Sequence, residues 1–83
     1  MYYEMVDGKM KSITSIRLDE AAKRKRDSGM SFMAQANEIG IDVTQLNKYR
    51  AGKSLPGVDI LREFAIYYGV SADWLLGMDR RPR

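Results

Sequence analysis

The side chains best suited to chemistry lie between Val43 and Val58, a stretch with no acidic residue. Thr44, Gln45, Asn47 and Lys48 can all hydrogen-bond, and Val43 and Thr44 carry methyl groups. On a helix, Val43, Thr44, Asn47 and Lys48 share the outward side with Gln45 at its edge, while Leu46 and Tyr49 point inward. Such a set suits the reading of base edges in the major groove of DNA. A methyl group packs on the thymine methyl, an amide pairs with adenine, and an ammonium donates to guanine O6 and N7 or to a phosphate. Arg50, Lys53 and Ser54 supply phosphate donors, and the missing acids leave phosphates unrepelled. Ser31 opens the preceding helix, where backbone amides and the helix dipole also favour an anion. The same residues would also suit a solvated helix face beside a basic loop kept for solubility.

Bond-making chemistry has little to work with. The 83 residues include no cysteine and no histidine, which removes thiolate and imidazole metal ligands and the commonest general base. The acids are scattered, chiefly at expected helix starts and exposed faces. Gly52-Lys53-Ser54 lacks the upstream glycine and preceding strand of a phosphate-binding P-loop. No enzymatic activity, metal or cofactor is expected. The amino terminus has no long apolar run, so no signal peptide or membrane span is expected, and the expected compartment is the cytoplasm. A formal net charge of +3 permits nucleic-acid binding without requiring it.

The candidate residues need a helix held at a fixed angle. Residues 31–50 read as two short helices joined by a turn at Gly40, a residue at ease with positive φ. Ser31 caps the first, from about Phe32 to Ile39, and Asp42 caps the second, with Val43 to Tyr49 as its body. This is a helix-turn-helix, which presents the outer face of its second helix to the major groove. Helix 1 is expected over 15–28, helix 4 from Val58 to Gly69, and a last short helix over Ala72 to Leu76. The core would draw on Ala36, Ile39, Ile41, Leu46, Leu55, Val58, Leu61, Phe64, Ala65, Val70, Trp74 and Leu75. Residues 1–12 are expected as an extension that frays, with a hairpin around Asp7-Gly8 as the alternative. The domain then spans 13–77, and a basic tail, 78–83, carries Arg80, Arg81 and Arg83.

At this point the chain resembles the Xre/Cro-type helix-turn-helix family of phage repressors and bacterial regulators. The resemblance runs over about residues 29–77 without gaps. It is carried by Gly29-Met30-Ser31, Ala36, Ile39-Gly40-Ile41, Leu46, Lys48, Tyr49, Gly52-Lys53-Ser54-Leu55-Pro56, Ala65, Gly69-Val70-Ser71 and Asp73-Trp74-Leu75-Leu76-Gly77. It implies an all-α, five-helix, lambda-repressor-like DNA-binding domain with the helix-turn-helix at helices 2 and 3. It further implies a transcriptional regulator, expected to be a repressor, that binds double-stranded DNA as a homodimer on paired half-sites.

Three positions depart from the family pattern. Phe32 stands where the family has a glutamine that meets a phosphate. Gln35 stands where the family has an apolar residue, so it must be paired or shifted toward solvent. Arg50 stands where the family has an acid paired to helix 1, which frees it for a phosphate, Asp27 or Asp42. The alternative reading is a protein-interaction module on the same fold, an antitoxin or an adaptor that sequesters a regulator. Phe32 and Tyr2-Tyr3 would be its contact surface.

Overall fold

Ser12 sets where the helical domain begins. Its hydroxyl accepts from the Ser15 backbone N–H at 3.1 Å, so α1 starts at Ile13 and runs to Asp27. The computed structural model describes residues 3–6 and 9–78. Tyr2, the Asp7-Gly8 pair and the tail arginines Arg80, Arg81 and Arg83 lie outside the described residues.

The extension is a hairpin rather than a frayed arm. Strands β1 (Tyr3–Val6) and β2 (Lys9–Ser12) pair antiparallel, with Tyr3 opposite Ser12, Glu4 opposite Lys11 and Met5 opposite Met10. A lone two-stranded hairpin is marginal in water. Here β2 runs straight into α1, and the Glu4–Lys11 pair sets opposite charges across the strands. The rest is helical, as expected: α2 (Phe32–Ile39), α3 (Val43–Ala51), α4 (Val58–Tyr68) and α5 (Ala72–Leu75). Serine hydroxyls cap α2 and α5, and the Asp42 carboxylate caps α3. Gly40 ends α2 in the left-handed region at φ 96°, and its N–H reaches the Ala36 carbonyl.

Leu18, Ala36, Leu46, Tyr49, Phe64, Trp74 and Leu75 form the buried core. Ile39, Ile41, Leu61, Ala65 and Val70 pack on it half-buried. Leu55 and Val58, expected inside, are exposed. Both lie where the loop enters α4, outside the layer filled by Leu61 and Phe64. Tyr49 meets Phe64 edge to face with ring centres 5.7 Å apart, which ties α3 to α4.

Gln35 is completely buried and fully partnered. Its amide nitrogen donates to the carbonyls of Ala22 (3.0 Å) and Met30 (2.8 Å), and its oxygen accepts from the Tyr68 hydroxyl at 2.7 Å. One side chain thereby joins α1, the turn before α2, and α4. This is how the core takes an amide where the family has an apolar residue.

Candidate nucleic-acid interface

Helix α3 has two faces with different tasks. Leu46 and Tyr49 are buried, which anchors the helix. Thr44, Gln45, Asn47 and Lys48 are exposed. The Asp42 carboxylate accepts from the Thr44 backbone N–H at 3.4 Å and so marks the amino end of the helix. At the other end Gly52 turns at φ 79°, and the Lys53 N–H returns to the Lys48 carbonyl at 2.9 Å. That bond fixes the loop bearing Lys53 and Ser54 against the last turn of α3.

Thr44, Gln45, Lys48 and Ser54 line one open cleft of about 270 Å³, together with Asp42. Four expected site residues are thus brought to one place. Asp42 was not among the candidates; its carboxylate caps α3 and adds an acceptor to the cleft. Gln45 gives its amide nitrogen to the Tyr49 hydroxyl at 2.9 Å, which steadies it and points it along the helix edge.

The other candidates are placed elsewhere. Val43 is half-buried against the core rather than facing outward, because the first turn of α3 rolls that side chain under the turn. Asn47 turns from the cleft, and its oxygen accepts from Arg50 at 3.0 Å. Ser31 is exposed at the start of α2, where its hydroxyl accepts from the Ala34 N–H at 3.1 Å. Lys53 is exposed in the loop after α3.

Arg50 is not a free phosphate donor, and its partner is neither Asp27 nor Asp42. Its Nε donates to Asp19 of α1 at 2.8 Å, and its guanidinium lies 3.5 Å from the Phe32 ring centre. The pair links α1 to the end of α3. Stacking under a guanidinium also explains the aromatic residue at position 32. Phe32 is half-buried there, with its ring under the Arg50 guanidinium.

A paired α2–turn–α3 unit, with its second helix anchored inside and polar outside, defines a helix-turn-helix DNA-binding domain. The family model for the helix-turn-helix matches residues 34–75, and the chain belongs to that family, of the Xre/Cro type. It is a DNA-binding protein of the transcription-regulator kind. No curated protein and no solved structure matches the chain. Helix α1 and the hairpin lie outside the matched residues. Among the described residues, no helix is long and apolar enough to cross a membrane.

Proposed function

We propose that the protein is a repressor that reads the major groove of double-stranded DNA with the outer face of α3. The observation that carries this reading is the cleft that gathers Thr44, Gln45, Lys48 and Ser54 on the side of α3 opposite its buried anchors. Thr44 offers a methyl to thymine, Lys48 donates to guanine, and Gln45 and Asp42 supply an amide and an acceptor. Lys53, Ser54 and Ser31 contact phosphates. Asn47 and Arg50 act at one remove, by holding α3 on α1. The protein binds as a homodimer on two half-sites, because one small domain gives modest specificity alone. Occupancy then blocks polymerase or a second regulator, and the working compartment is the cytoplasm.

The test is selection of a preferred duplex from a random pool, then titration of variants against that duplex and a scrambled one at fixed salt. Thr44→Ala and Lys48→Ala should each cost about 1–3 kcal/mol on the preferred duplex and less on the scrambled one. Lys53→Ala should weaken both alike. Unchanged discrimination in the first two variants would remove α3 as the reader. A parent protein that prefers no duplex would return the protein-interaction reading, with exposed Tyr3, Met5 and Met10 of the hairpin as the surface to test.

A further inference from the structure

Beside the reading cleft lies a second open groove of about 300 Å³, lined by Lys11, Asp19, Lys23, Asn47, Arg50 and Ala51. Three elements meet in it: β2 brings Lys11, α1 brings Asp19 and Lys23, and α3 brings the others. Asp19 is held by two cations at once, Lys23 at 3.0 Å and Arg50 at 2.8 Å. Three cations and one carboxylate line the groove, and two of the cations are paired with that carboxylate, so its lining keeps a surplus of positive charge. Among the described residues Lys11 makes no ion pair within 4 Å, although Glu4 stands opposite it on β1. The stem of Lys11 lies against the left-handed turn that ends α3, its Cγ 3.6 Å from where a side chain on Gly52 would begin. Because the Asn47 oxygen is taken by Arg50, the amide's N–H groups are its remaining hydrogen-bonding capacity.

The occupant must be an anion that reaches an open surface next to α3. A groove this open gives a small free anion little enclosure. A phosphate already carried there by a docked strand meets no such difficulty, and Asn47 and Ala51 are part of the same helix that reads the duplex. We propose that this groove seats one backbone phosphate of the bound DNA, flanking the base pairs read by Thr44 and Lys48. Lys11 and Lys23 donate to it, and the Arg50–Asp19 pair holds Lys23 in place. The inference rests on the DNA-reading function above and extends the contact surface to the hairpin and α1.

The experiment compares the parent with the Lys11→Gln/Lys23→Gln double variant on the selected duplex. Neither side chain is buried, and a thermal melt confirms that the variant folds. Losing one phosphate contact should lower the log–log salt slope by about 0.9, so the affinity lost between about 50 and 200 mM salt shrinks roughly 3.5-fold. A duplex series then carries one neutral methylphosphonate at each backbone position in turn. At one flanking position the parent should lose affinity several-fold, while the double variant, which no longer holds that phosphate, should lose none. An unchanged salt slope, or the same methylphosphonate profile in both proteins, overturns the groove as a contact. In that event Thr44→Ala and Lys48→Ala still report base discrimination, so the main reading stands. A parent that binds no duplex overturns both.

Discussion

Gln35→Leu restores the apolar residue of the family pattern, and it should destabilise this protein. The amide is completely buried and makes three hydrogen bonds. The Ala22 carbonyl lies within α1, whose own ladder can satisfy it. The Met30 carbonyl and the half-buried Tyr68 hydroxyl have no such reserve, and each orphaned group costs about 1–3 kcal/mol. Apolar contact made by leucine offsets part of this, leaving a net loss of roughly 1–3 kcal/mol. In a domain of this size each kcal/mol moves the midpoint by about 4–8 °C, so the melt should fall by roughly 5–20 °C. Tyr68→Phe supplies the control. In the parent it strands the Gln35 oxygen and destabilises; on Gln35→Leu it removes an orphaned hydroxyl and should raise the melt again. The assay is a four-protein thermal cycle followed by circular dichroism. A Gln35→Leu protein that melts at or above the parent would refute the reasoning. So would a Tyr68→Phe effect that is the same in both backgrounds.

Gly40→Val should lower the melt through backbone conformation alone: no atom lies within 4 Å of the added Cβ, yet φ is 96°, a region costing an L residue about 1–2 kcal/mol. Leu46→Ala, at a site with no exposure, should cost roughly 2–5 kcal/mol; parental denaturation midpoints in both variants would displace the motif. Arg50→Ala should cost about 1–2 kcal/mol of stability, the charged bond being partly solvated; a parental melt with weaker binding to every duplex would instead make Arg50 a phosphate contact. Burial and the Glu38 carboxylate push Tyr67 up to about 12, and burial, reinforced by Tyr67 and opposed by Arg50, also raises Tyr68. Both folded-state values exceed the ordinary 10.0, so their stabilisation is complete below that pH and declines as pH rises beyond it. Melts from pH 9 to 12 should show this fall, and Tyr67→Phe should flatten it.

The helix-turn-helix was legible because its signals are local. Ser31, Gly40 and Asp42 each act on backbone groups within a few residues, and the sequence holds all of that information. The burial of Leu46 and Tyr49 followed from helical spacing. The hairpin was harder, since four-residue strands carry little periodicity. Leu55 and Val58 fit the spacing of a core face, yet spacing cannot tell where along a helix the neighbouring layer stops. Gln35 was legible as a problem with two solutions, and pairing is selected by the carbonyls of Ala22 and Met30 together with the Tyr68 hydroxyl, which arrives from 33 residues away.

The site shows the same division between local and distant causes. A helical wheel puts Val43, Thr44, Asn47 and Lys48 on one outward side, but an outward side is wide, and the elements along its two borders decide which way each side chain turns. The loop after α3 brings Ser54 to Thr44 and Lys48. Helix α1 brings Asp19 to Arg50, and Arg50 then draws Asn47 away from the cleft. The Arg50–Asp19 pair has an electrostatic consequence of its own. The cation sits in the last turn of α3, where the helix dipole favours it, and the carboxylate sits on α1. That carboxylate is shared with Lys23, so α3 is braced while the surface around its outer end stays positive. A single acid thus steadies α3 and leaves cations around its outer end.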